Sequence, residues 1–116
     1  MVKKIEKLKR EARDFLRARK YPQAAHAYAR LMKADPQNGR WPHKLGEVNQ
    51  RLERGPAAVD AYRRAARIYA EQGFLLKAIA LCKMIMTHPH VLAVVGEISA
   101  RRREQALAVE EKLPLL

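Results

Sequence analysis

Ala24 and Tyr28 recur thirty-four positions later as Ala58 and Tyr62. This recurrence constrains the fold of the chain more than any other feature of the sequence. Residues four apart meet on one face of a helix, and their return at a fixed period marks helical hairpins that stack side by side, since one hairpin alone cannot bury its apolar face. The stretch from Ala58 to Ala78 adds a complication. From Tyr62 it also reads Tyr62-x-x-Ala65-Ala66-x-x-Tyr69, followed by Ala78-x-x-x-Cys82, which is the opening of a further unit. One helix is therefore expected to close one hairpin and open the next, with Tyr62 buried between neighbours on both sides.

Apolar residues at three- and four-residue steps define the helices. Ile5, Leu8, Ala12, Phe15 and Leu16 share a face of the first, and Lys20-Tyr21-Pro22 turns the chain, with proline suited to the start of a second helix that carries Ala24, Ala25, Tyr28, Leu31 and Met32. Asp35-Pro36 stops that helix, and Asn38-Gly39 is expected to use left-handed dihedrals. A third helix begins at Trp41-Pro42, with Leu45, Gly46, Val48, Asn49 and Leu52 inward, and Arg54-Gly55-Pro56 leads into a fourth. Gly73 ends the fourth helix. The fifth, with Leu76, Ile79, Ala80, Cys82, Met84, Ile85 and Met86, is the most apolar and is expected to be covered on more than one side, Cys82 included. After Thr87-His88-Pro89-His90, a turn expected to expose both imidazoles, a sixth helix spans about 91–112, its stripe of Val91, Val95, Ile98, Ala106 and Val109 continuing to Leu113. Leu113-Pro114-Leu115-Leu116 ends the chain with apolar residues. The sixth helix either folds back to cap the repeats or docks against another chain.

At 116 residues there is room for one core. Twenty-four Lys and Arg against twelve Asp and Glu leave a formal charge of +12, which favours acidic partners: an acidic protein, a nucleic acid or an anionic surface. A single Cys82 excludes an intramolecular disulfide and points to a reducing, cytoplasmic setting. No stretch is long and apolar enough for a membrane span. The four histidines are scattered or in loops, no nucleophile stands beside a base in a recognisable pattern, and there is no glycine-rich phosphate loop. No enzyme activity, metal or cofactor is expected.

Leu8-x-x-Glu11-Ala12-x-x-Phe15, then Ala24-x-x-x-Tyr28, then Pro36 resembles the tetratricopeptide repeat, with Leu8 and Glu11 in place of the usual Trp and Leu. A second unit supplies Leu45-Gly46, Ala58 and Tyr62 but has Pro42, Asn49 and Ala70 where the family has Trp, Tyr and Pro. A third, opening inside the fourth helix, supplies Tyr62, Ala65, Ala66, Tyr69, Ala78 and Cys82, with Pro89 one residue early. The resemblance implies an all-α helical-hairpin solenoid of about two and a half repeats over residues 1–90, with residues 91–116 as a C-terminal capping or docking helix. The wording from Gly73 to Ala80 also looks like repeat modules of bacterial regulatory proteins that sit beside signal-sensing or kinase-linked domains.

In this family the first helix of each hairpin lines a concave groove. The corresponding positions here are Lys9, Arg13, Leu16 and Arg17 on the first helix and Arg40, His43, Lys44, Glu47 and Arg51 on the third. Some members clamp a peptide carboxylate with a Lys, Asn, Asn, Lys, Arg set. Only Lys9 matches, Arg13 and Lys44 stand where Asn is usual, and Arg64 matches the last Arg only if the fourth helix lines the groove. The implied function is a non-catalytic adaptor or scaffold in bacterial signalling. It would bind an acidic or phosphorylated segment of another protein, such as a kinase or regulator, through Lys9, Arg13, Arg17, Arg40, Lys44 and Arg51. Two alternatives stand beside it: a basic helical nucleic-acid-binding protein, and a structural module that self-associates through its C-terminal helix.

Overall fold

The computed structural model describes residues 2–112, all of whose regular structure is helical: α1 (Val2–Arg17), α2 (Tyr21–Ala34), α3 (Arg40–Arg51), α4 (Gly55–Glu71), α5 (Leu75–Met86) and α6 (Pro89–Lys112). Leu113 and the apolar tail that follows it lie outside the described residues. From α1 to α5 each helix packs against the one before and the one after it in the chain, so the molecule is an all-α solenoid of helical hairpins, 75 Å long and 20 Å across its narrowest dimension.

The same turn appears three times. After α1 the N–H of Lys20 donates to the carbonyl of Phe15 (2.9 Å), after α3 that of Arg54 donates to Asn49 (2.9 Å), and after α4 that of Phe74 donates to Tyr69 (2.8 Å). Between each donor and its helix stands one residue at positive φ: Arg19 (57°), Glu53 (56°) and Gly73 (82°). This is the Schellman ending, in which a left-handed residue lets the chain satisfy carbonyls left open by the last helical turn. Arg19 and Glu53 adopt a conformation in which a side chain costs roughly 1–2 kcal/mol. Four residues on, the next helix opens with the same bond in each case, Ala24 to Lys20, Ala58 to Arg54 and Ala78 to Phe74. The α4–α5 connection thus has the geometry of the two hairpin turns before it, and α4 is the second helix of one hairpin and the first of another.

The α2–α3 connection is built differently. Asn38 Oδ1 accepts from the N–H of Arg40 (3.0 Å), and Asp35 Oδ2 accepts from Trp41 Nε1 (3.0 Å) and from Asn38 Nδ2 (3.2 Å). Gly39 sits at φ −64°, in right-handed geometry rather than the left-handed geometry expected for Asn-Gly. Glycine is needed there because the Tyr69 ring of α4 lies 2.9 Å from where a Cβ would project.

The core has two parts. Leu8, Ala12, Ala24, Tyr28, Leu31, Trp41 and Val48 join α1, α2 and α3, while Ala58, Tyr62, Ala65, Ala66 and Leu81 join α4 to α5. Tyr62 bridges them. It is completely buried, its ring edge lies 2.5 Å from the Cβ that Gly46 lacks, and its hydroxyl donates to Gln50 Oε1 at 2.8 Å.

The C-terminal helices depart from expectation. Only Ala78 and Leu81 of α5 are buried, whereas Leu75, Leu76, Ile79, Met86 and Cys82 are exposed, so α5 is covered by α4 alone. The apolar residues of α5 outnumber those that α4 can cover, and α6 bends away by 60° instead of supplying a second cover. The α6 helix touches α4 and α5, but from Leu92 to Glu111 its side chains are exposed, so its stripe does not fold back over the repeats. The triplet Arg101, Arg102 and Arg103 lies within α6. His88 is buried, not exposed as its turn position suggested: its Nδ1 accepts the N–H of His90 (3.1 Å) at the start of α6, while His90 remains exposed.

Gly46→Ala is expected to destabilise the fold by about 1–3 kcal/mol through overpacking, because the rigid Tyr62 ring is held at both ends and cannot yield. Gly96→Ala, where a Cβ meets nothing within 4 Å, is expected to be neutral or stabilising by up to about 1 kcal/mol from helix propensity. Urea unfolding of the two variants checks the contrast.

Candidate functional site: a basic groove along α1 and α3

Lys9, Arg13 and Arg17 are spaced by four residues on α1, and Arg40, Lys44 and Arg51 fall within one face of α3, so each helix carries one row of cations. The rows face each other. At one end the Lys9 ammonium lies 5.5 Å and the Arg40 guanidinium 5.6 Å from the Trp41 ring centroid. At the other end Arg17 and Arg51 line a single cleft of about 600 Å³ with Leu16, Tyr21, Glu47 and Gln50. The start of α1's row meets the start of α3, and its end meets the end of α3. The two helices therefore run in the same direction and frame one groove, supported from behind by Tyr28 and Tyr62.

Glu47 is the anion within this basic groove. Its carboxylate is 3.4 Å from His43 Nε2 and 3.5 Å from Lys44 Nζ. Burial first, and the charge of Glu47 second, push the Tyr62 phenol up from 10.0 to about 12. Tyr28 is also raised, by burial and by Glu47, with Arg13 pulling in the opposite direction.

The six expected binding residues do not play equal parts. Arg13, Arg17, Arg40 and Arg51 are exposed and hold no ion pair among the described residues. Lys9 is half-buried and already paired with Glu6 at 3.2 Å as well as lying over Trp41. Lys44 is engaged by Glu47 and does not line the cleft that Arg17 and Arg51 share. Arg64 stands apart from the groove, beside Asp60 (3.8 Å) and at an apolar crevice with Met32, Leu45 and Ile68. Four contributors to the cleft escaped the sequence reading of the groove, namely Arg19, Tyr21, Val48 and Gln50. Arg19 is brought in by its left-handed turn, for which a non-glycine residue gives no sequence signal. The spacing of Gln50 from Arg40 and Glu47 on α3 would have revealed it.

Among the described residues no group of three or more His, Cys, Asp or Glu side chains could hold a metal ion. Among the same residues no single helix is long and apolar enough to cross a membrane. No protein-family model matches the chain, and no curated protein does.

The tyrosines give this region a pH dependence whose sign is fixed. With its folded pKa near 12 against 10.0 unfolded, Tyr62 holds its proton more tightly in the native state. Its contribution to stability is fully present below pH 10 and is lost as pH rises from 10 towards 12. Denaturation midpoints at pH 8 and pH 11 are expected to fall more steeply for the wild type than for Tyr62→Phe, and absorbance titration is expected to show Tyr62 ionising late.

Proposed function

We propose that the chain is a non-catalytic protein-interaction adaptor of tetratricopeptide type, which receives an acidic or phosphorylated segment of another protein in the groove between α1 and α3. The observation that carries the proposal is the convergence of Arg17 and Arg51 on one cleft, in line with Arg13, with all three guanidinium groups free of carboxylate partners among the described residues. A guanidinium presents paired donors that match a carboxylate or phosphate with two parallel hydrogen bonds. A cleft with an arginine on each wall suits an extended anionic segment better than an apolar one. At the other end of the groove Lys9 and Arg40 lie against the ring of the buried Trp41, which anchors two further cations there. The likeness of the wording between Gly73 and Ala80 to repeat modules of bacterial regulatory proteins is what supports a setting in bacterial signalling, with a kinase or regulator as partner.

The formal charge of +12 also supports a second reading, in which the same rows track nucleic-acid phosphates. The aromatic side chains here are committed to packing: Tyr28 and Tyr62 are buried, and the half-buried Tyr69 lies edge-on to Phe74. That leaves few faces for base stacking.

Affinity purification from the native cell, with wild type and with Arg13→Glu/Arg51→Glu as baits, tests the groove. Both positions are exposed, so the helical content measured by circular dichroism should not change. Each lost charge-assisted bond is worth about 1.5–3 kcal/mol, so capture of the partner is expected to weaken by more than about tenfold. Unchanged capture rejects the groove, and retention of DNA or RNA at physiological salt favours the second reading. Glu47→Gln, which removes the opposing charge, is expected to tighten binding of the same acidic segment, as measured by titration calorimetry.

A further inference from the structure

We infer that a second copy of this chain covers the open face of α5, by a reciprocal exchange in which α6 of each copy lies across α5 of the other. Three observations carry the inference, and none involves the α1/α3 groove.

The first is an uncovered face of matching size on each of the two helices. On α5, Leu75, Ile79, Cys82 and Met86 form one stripe at helical spacing, with Leu76 beside it at 84% exposure. On α6, Val94, Val95 and Ile98 continue the line begun by the half-buried Val91 and are 40–53% exposed. Leu92, 56% exposed, widens the α6 face beside Val95. Exposed apolar patches of this extent mark interaction surfaces.

The second is the direction of α6. It leaves α5 at 60°, so it cannot lie on the α5 of its own chain. As a projecting helix with an apolar face it can lie on that of another. One chain thus holds both a helix that lacks a cover and a helix that lacks a support, the self-complementary condition for a two-fold dimer.

The third is the distribution of charge. Residues 1–74 carry eighteen Lys and Arg against eight Asp and Glu, whereas residues 75–116 carry six against four. Between Val91 and Ala100 the only charged residue is Glu97. An anionic bilayer or an acidic protein would be drawn to the first four helices, not to this nearly neutral end. Two copies joined through α5 and α6 keep their basic halves apart, and the faces that meet carry little charge.

Light scattering on the full chain tests the exchange. The mass is expected to rise from 13.3 kDa to twice that value as concentration increases from about 1 to about 300 μM, the range in which modest interfaces saturate. Leu76→Glu/Ile79→Glu on α5, and Val95→Lys/Ile98→Lys on α6, are each expected to weaken self-association by more than tenfold with unchanged circular dichroism, since all four side chains are exposed. Mixing these two variants separates reciprocal exchange from like-with-like pairing. Their mixed dimer has one native α6-on-α5 contact and one that sets Glu against Lys, so the mixture should regain dimer that neither variant forms alone. A mixture that stays monomeric overturns the exchange, as does a wild type that stays monomeric over the whole range. A monomer that co-sediments with zwitterionic phosphatidylcholine vesicles, whose surface offers the basic helices no net charge, assigns the face to a bilayer instead.

Discussion

Tyr62 and Gly46 bring α3 and α4 closer than any pair of ordinary side chains would allow. The ring occupies the space of an absent methyl group, while its hydroxyl, which burial would otherwise penalise, is satisfied by Gln50. The contact fixes both the distance between the helices and their axial register, because the ring packs against α3 at Gly46 and the hydroxyl bonds to it at Gln50. What lies on either side depends on this register. In one direction α3 presents Glu47, Gln50 and Arg51 to α1; in the other, α4 presents Ala65 and Ala66 to α5.

The groove is a consequence of that packing rather than a separate construction. Because the inward face of α3 is taken up by Trp41, Gly46, Val48 and Asn49, the residues at the next angular positions are turned towards α1. Their counterparts on α1 are displaced in the same way by Leu8 and Ala12. Cations in both rows are thereby held at the rim of a core that cannot move without breaking the α1–α3 cluster. Glu47, influencing both Tyr28 and Tyr62, ties the electrostatics of the groove to the hydroxyl groups behind it.

Much of the architecture could be read from residue spacing. The positions of Ala24, Tyr28, Ala58 and Tyr62 mark buried faces because tight helix pairs select small residues and rings at fixed steps, and Pro36, Gly73 and Pro89 mark helix ends because they restrict or free φ. The double role of α4 was legible in the overlap of two patterns, and the repeated turn shows its physical form. The reading of α5 failed for a definite reason: apolar composition records what a helix can bury, not whether a cover is present, so Leu76 and Ile79 look like core in sequence and stand exposed in the structure. Cys82 followed the same mistaken reading. The groove residues were recognisable by register, but the diversion of Lys44 to Glu47 and the recruitment of Arg19 depend on side-chain and turn geometry that register does not encode.

The length of the molecule gives its uneven charge a further meaning. A span of 75 Å is many times the distance of about 8 Å over which physiological salt screens a charge. The strongly basic α1–α4 end and the nearly neutral α5–α6 end are therefore electrically independent. An anionic ligand approaching the groove is steered by the local field of the first four helices, and that field is blind to whatever occupies the far end. In the proposed reading, association at one end and assembly at the other are tuned separately, the first by ionic strength and the second by concentration.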